Sequence, residues 1–144
     1  MRCLTIWEPD TSISDKRTLI DAVATYLSGQ GLVGDRCAAA EALRLRESLG
    51  DTLIAPHLAI PHAMSDAVNE SVVLFVKLRD GLDDWQPGAT VDRYLFTLIP
   101  ERPPTADLEA IKNLYTRLAD DRTLEALAGG GPSDVLAVLQ QERN

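Results

Sequence analysis

The hydrophobic positions of this chain switch between two periods, and each switch marks an element. Leu4-Thr5-Ile6-Trp7 reads as a first short strand. From about Asp15 to Ser28, Leu19, Ile20, Val23, Tyr26 and Leu27 recur at helical spacing, with Ser14 as the candidate N-cap. Gly29 and Gly31 then stop that helix. Asp35 can cap a second helix running through Cys37–Leu43 to about Ser48, closed by Gly50. Pro56 and Pro61 forbid a helix across the next segment and bias the residues before them towards extended geometry. Short strand pieces are therefore expected at Leu53-Ile54 and at Leu58-Ala59-Ile60.

Ser71–Leu78 is a near-continuous apolar run rich in β-branched residues, the pattern of a central strand covered on both faces. Asp80-Gly81 and Pro87-Gly88 are turn signals, which predict a loop carrying Trp85. Tyr94–Ile99 is a second buried strand, stopped by Pro100, Pro103 and Pro104. From Ala106 to Ala119 the residues Leu108, Ile111, Leu114, Tyr115 and Leu118 form one apolar helical stripe. Shorter helices are expected near 123–128 and 133–141, parted by Gly129–Pro132. Helices on both sides of two strongly apolar strands predict a single-domain α/β sandwich over residues 1–144, with a central mixed β-sheet flanked by helices on both sides.

Composition narrows the function classes. With 45% hydrophobic and 25% charged residues the chain is ordinary for a globular domain. Its net charge of −8 leaves no cluster of Lys and Arg for counterion release, so nucleic acid and anionic membranes are not expected partners. A basic protein partner is compatible with that field. No apolar run approaches the ~20 residues that span a bilayer, and the N-terminus lacks a secretory pattern, so a cytoplasmic protein is expected. Cys3 and Cys37 are too few for a disulfide scaffold and lack metal-ligand spacing; reduced thiols are expected.

The chain has two histidines, His57 and His62, each directly after a proline. Five residues apart, they would face opposite sides of a straight strand and lie about 140° apart on a helix, so no metal site is implied. What surrounds them is more specific. Arg46-Glu47-Ser48-Leu49-Gly50-Asp51-Thr52, followed by Leu58-Ala59-Ile60-Pro61-His62-Ala63, resembles the active-site signature of the fructose/mannitol/nitrogen-type enzyme IIA domain of the phosphoenolpyruvate-dependent sugar phosphotransferase system. Thr52 stands six residues after Arg46 and His62 ten after Thr52, as in that family's pattern, and the likeness extends along nearly the whole chain.

The residue types suit such chemistry on physical grounds. An imidazole offers one nitrogen as nucleophile while the other holds its tautomer through a hydrogen bond. Phosphoryl transfer needs mainly positioning and neutralisation of the equatorial oxygens, and a guanidinium forks onto them. The resemblance implies that His62 is the phosphorylated residue and that Arg46 contributes to its site. It leaves Thr52 to hold the imidazole or a phosphate oxygen by its hydroxyl. No cofactor is implied. The expected partners are an HPr-like phosphocarrier protein as donor and an enzyme IIB component as acceptor. Enzyme IIB and membrane IIC domains are expected to be separate proteins, since 144 residues leave no room for them.

Two departures from the family pattern stand out. Where members carry a second histidine, at the start of the helix after the Pro-rich loop, this chain has Asp107. A carboxylate about 4 Å from an incoming phosphate would repel it by about 1 kcal/mol in water and ~4 kcal/mol at an effective dielectric of 20. Asp107 equally suits a helix N-terminus, where the dipole favours an acid. His57 stands where the family commonly has glycine. It is either a partial substitute for the missing partner, close to His62 across a bent segment, or a surface histidine filling a turn. Three functions follow: a sugar-uptake phosphocarrier, a nitrogen-branch regulatory protein switched by phosphorylation of His62, and a binding module that keeps the fold without phosphorylation.

Overall fold

A computed structural model describes residues 1–10, 12–50 and 52–140. Among these residues the elements are, in order, β1 (Arg2–Trp7), α1 (Lys16–Gly29), α2 (Arg36–Leu49), β2 (Leu53–Ala55), β3 (Leu58–Ala59), β4 (His62–Met64), β5 (Val72–Gln86), β6 (Ala89–Ile99), α3 (Thr105–Arg117), α4 (Asp121–Gly129) and α5 (Pro132–Gln140). The strands form one mixed, six-stranded sheet in the order β1-β5-β6-β3-β2, with β4 also on β6. β1 runs parallel to β5, and β3 and β4 run parallel to β6. The β5–β6 and β2–β3 pairs are antiparallel.

Strand pleating sends successive side chains to opposite faces, so a strand buried on both sides needs a continuous apolar run. β5 and β6 meet that need. Val72, Leu74 and Val76 pair with Leu98, Phe96 and Tyr94, and all six pack with α1 and α2 residues such as Leu19, Val23, Leu27 and Leu43. Val73, Phe75 and Leu95 face the other way and pack with Leu114, Leu127, Val135 and Leu139 of α3, α4 and α5. The same rule puts Lys77 and Arg93 on the second face, where neither charge is left unpaired. Lys77 Nζ lies 3.0 Å from Glu8 Oε2 and 3.4 Å from Asp92 Oδ2. Arg93 donates to the Leu127 and Gly130 carbonyls, both at 2.9 Å, closing the C-terminal end of α4 as a cation should.

Two local expectations change. Asp15, not Ser14, caps α1: its carboxylate accepts from the Thr18 amide at 2.8 Å. Trp85 is not in a loop but near the end of β5, 3% exposed, with its ring centroid 4.7 Å from that of Tyr94. The turn signal at Asp80-Gly81 marks a register shift within a continuous ladder rather than a chain reversal. A side chain at Gly81 would stand 2.5 Å from Thr90 Cγ2 on the facing strand, so glycine here permits close approach. The reversal comes at Pro87-Gly88, where Gly88 takes φ +80°. The last predicted helix also reached Gln141, which lies outside the described residues.

The segment carrying both histidines is laid along the free edge of β6. Leu58 and Ala59 pair with Arg93 and Tyr94, and His62, Ala63 and Met64 pair with Thr97, Leu98 and Ile99. Between the two pieces stands Pro61, which has no N–H to give; its carbonyl instead accepts from the Thr97 amide at 3.0 Å. Because Phe75 is fully buried between the sheet and the α3–α5 layer, Phe75→Ala is expected to lower unfolding stability by about 3–5 kcal/mol, seen as a lower urea midpoint at unchanged slope.

Candidate active site

His62 begins β4, the edge piece of the sheet, and its ring is half-buried. Arg46 approaches it from the last turn of α2. That helix is capped by Asp35, which accepts from the Cys37 and Ala38 amides at 3.0 and 3.1 Å. It buries Ala39, Ala40 and Leu43, and Arg46 follows Leu43 by three positions on the same side. The guanidinium Nε donates to His62 Nε2 at 3.1 Å, and Nη1 reaches the Gly50 carbonyl at 3.4 Å. His62 Nδ1 lies 3.0 Å from the Ile60 carbonyl.

These partners assign the imidazole's proton. A carbonyl only accepts and a guanidinium only donates, so Nδ1 carries the hydrogen and Nε2 presents its lone pair to Arg46. In that tautomer the lone pair of Nε2 lies directly against a permanent cation.

Behind the pair lies a second set of contacts. Glu47, the next residue of α2, has a side chain only 5% exposed. Its Oε2 accepts from the Thr52 hydroxyl at 2.8 Å and its Oε1 stands 3.4 Å from Lys16 Nζ. Lys16 also donates to the Trp85 carbonyl at 2.9 Å. The Thr52 carbonyl in turn accepts from the Ile60 amide at 2.9 Å, and Ile60 is the residue whose carbonyl holds His62 Nδ1. Glu47 therefore ties α2, which carries Arg46, to the backbone that orients His62.

This changes what Thr52 does. Its hydroxyl is committed to Glu47, and it reaches the histidine through backbone hydrogen bonds rather than as a side-chain ligand. The physical reason is burial: a carboxylate so enclosed demands donors, and Thr52, itself 4% exposed, is the near one.

His57 is not a neighbour of His62. It precedes β3, where its carbonyl accepts from the Asp92 and Arg93 amides, whereas His62 pairs with Thr97. Five residues of parallel strand separate the two by about 16 Å. His57 is exposed, with Nδ1 2.7 Å from the Thr90 carbonyl. The expectation of a bent segment bringing the rings together fails because both pieces run along the same edge of β6.

Asp107 is also placed elsewhere. Its Oδ1 lies 3.2 Å from the Met1 amino group, next to β1. Three strand spacings, β1 to β5 to β6 to β4, put that edge about 14 Å from His62. The charge of Asp107 is paired there with a cation. α3 crosses the sheet, so its first turn sits over one edge and its later residues approach the other.

What α3 does bring to His62 is Tyr115. Its ring stands edge-on to the imidazole, centroids 6.5 Å apart and planes at 77°. Its hydroxyl donates to Thr97 Oγ1 at 3.0 Å. Burial raises the phenol above its ordinary range, against smaller opposing effects of Thr97 and the Arg46 charge, so it remains a neutral donor. Tyr115 was hidden in the sequence because it occupies a core position of an apolar stripe. Its hydroxyl, which needs a partner when buried, was the only cue. Leu45, Leu49 and Met64, at 62%, 76% and 54% exposure, flank the Arg46–His62 pair on α2 and β4. Among the described residues no three His, Cys, Asp or Glu side chains gather as metal ligands.

The buried Glu47–Thr52 contact can be tested directly. Thr52→Val is expected to cost about 1–3 kcal/mol of stability by leaving the carboxylate short of a donor, whereas Thr52→Ser should stay near wild type. Urea denaturation of the two variants measures it.

Comparison with known proteins agrees with the geometry. Residues 5–142 match the family described as "Phosphoenolpyruvate-dependent sugar phosphotransferase system, EIIA 2". The chain is 32% identical over 126 residues to the fructose-specific EIIABC component of Bacillus subtilis, an alignment covering 85% of this chain and 19% of that protein. It thus spans about a fifth of the length of that relative. The fold is similar to that of the nitrogen regulatory protein IIA-Ntr from Neisseria meningitidis, with a TM-score of 0.72 at 22% identity over 94% of this chain and 92% of the other. It is also similar to the mannitol enzyme IIA solved in complex with phosphorylated enzyme IIB from Escherichia coli, with a TM-score of 0.66 at 20% identity over 92% of each chain. Among the described residues no helix is long and apolar enough to cross a membrane. With the match running through nearly every element that builds the site, the chain belongs to the EIIA type 2 family of the phosphoenolpyruvate-dependent sugar phosphotransferase system.

Proposed function

We propose that this protein is a phosphohistidine carrier that accepts a phosphoryl group on Nε2 of His62. The observation that carries the reading is the assigned lone pair: Nδ1 holds its hydrogen on the Ile60 carbonyl while Nε2 faces Arg46. In the transfer, the P–N bond of a donor phosphohistidine breaks and its electron pair returns to the donor nitrogen. The P–Nε2 bond forms from the His62 lone pair, and the Nδ1 hydrogen stays where it is. Arg46 must leave Nε2 as the phosphoryl group arrives, and its guanidinium then neutralises the equatorial oxygens.

The donor in this reading is an HPr-like phosphocarrier and the acceptor an enzyme IIB component. The mannitol enzyme IIA that shares this fold was solved with a phosphorylated IIB partner. The surface beside His62 favours macromolecular partners over a small phosphodonor. Leu45, Leu49 and Met64 leave apolar area in water around the reacting nitrogen, as a docking face does. The overall charge of −8 suits a basic partner. The contact of Asp107 with Met1, away from the Arg46–His62 pair, supports the carrier reading over a module that does not take phosphate.

Incubation with phosphoenolpyruvate, enzyme I and HPr is expected to add one acid-labile phosphoryl group, seen by mass, that is absent in His62→Ala. Arg46→Ala should slow its appearance by about a hundredfold, since a charged donor to the transferring group is lost. Labelling of His62→Ala at the wild-type level would sink the proposal.

A further inference from the structure

Two hydrogen bonds and one ring contact hold the imidazole of His62. The Nδ1–H bond and the Nε2 lone pair both lie in the imidazole plane, so Ile60 and Arg46 resist rotation of the ring within its two-contact fork. Tilting out of that plane weakens both contacts, and a ring packed beside the imidazole opposes it as well. The neighbour there is Tyr115, at 77° to the imidazole.

We propose that Tyr115 is a positioning residue for His62, a wall that keeps Nε2 aimed at the incoming phosphoryl group. The wall is anchored to the same strand pair as the histidine. The Tyr115 hydroxyl is held by Thr97 Oγ1, Thr97 is the register partner of His62, and the Thr97 amide is bonded to the carbonyl of Pro61. Thr97 thus links the strand piece that carries His62 to the hydroxyl of Tyr115. The role matters most during transfer. Once the Nε2 lone pair is used to bond phosphorus, the Arg46 Nε–H···Nε2 contact no longer exists, and the ring keeps only the Ile60 carbonyl and Tyr115. A wall acting at that moment changes the rate of transfer within the docked complex rather than the affinity for the donor.

The inference rests on His62 being the acceptor, but one of its readouts does not. Long-range proton–nitrogen NMR of the unphosphorylated protein reports the imidazole tautomer. The wild type and Tyr115→Phe should show a dominant Nδ1–H form, and Tyr115→Leu a mixture of both. With phosphorylated HPr as donor, Tyr115→Leu should lower the rate at saturation by about tenfold with unchanged half-saturation, and Tyr115→Phe should stay within about threefold of wild type. Circular dichroism at the assay temperature checks that each variant is folded. A folded Tyr115→Leu that keeps one tautomer and the wild-type rate overturns the proposal, as does an equal loss in Tyr115→Phe. If wild type takes no phosphoryl group while Tyr115→Leu still mixes its tautomers, the carrier reading fails and the positioning role stands.

Discussion

The ladder between β5 and β6 is covered by helices on both sides, and that double coverage constrains everything else. Val72–Val76 and Tyr94–Leu98 are out of water whichever way each residue points, so a slip of the register by one would exchange the two cores. The chain resists such a slip by placing its few charges with care. Lys77 and Arg93 face each other across the ladder on the α3–α5 side, each with its own oxygen partners. A shifted ladder would bury those cations without partners, at a cost of several kcal/mol per ion.

A fixed ladder gives β6 one free edge, and the functional segment is built along it. The run from Leu58 to Met64 is too interrupted by proline to form a strand of ordinary length, so it docks as two short pieces. Pro61 makes the break, and the break is useful. It releases the Ile60 carbonyl from the ladder to hold the His62 ring. The histidine then stands at a sheet edge, where the helical layers of both faces can reach it. Arg46 comes from the α1–α2 side and Tyr115 from the α3–α5 side. Neither layer alone supplies both contacts, and the α2 contribution is locked to the hydroxyl of Thr52 by a buried carboxylate.

Much of this was legible before any coordinates. The helical stripes, the doubly buried strands and the α/β sandwich follow from periodicity, because burying one face or two leaves different patterns of apolar residues. Pairing Arg46 with His62 was legible through the resemblance of the signature around them to the enzyme IIA domain. The roles of Thr52, His57 and Asp107 were not. Whether a hydroxyl serves an imidazole or a carboxylate depends on which is the closer buried acceptor. Thr52 and Glu47 are five residues apart on either side of a helix end whose direction the sequence does not specify. Trp85 was placed in a loop because Asp80-Gly81 resembles a turn, although a glycine opposite Thr90 serves a close strand approach equally well.

The sequence by itself determined most of the apolar core, most of the helices and strands, and the signature around His62 that resembles a known family. These are local properties, set by side-chain volume, polarity and backbone restriction within a few positions. Only the tertiary structure decided the long-range pairings: His57 and His62 at separate stations along β6, Asp107 by the Met1 amino group, and Tyr115 against the imidazole. The reason is geometric. α3 runs from beside Met1 to beside His62, so which of its residues meets the imidazole depends on crossing direction and helix rise. A stripe of apolar positions carries no information about either.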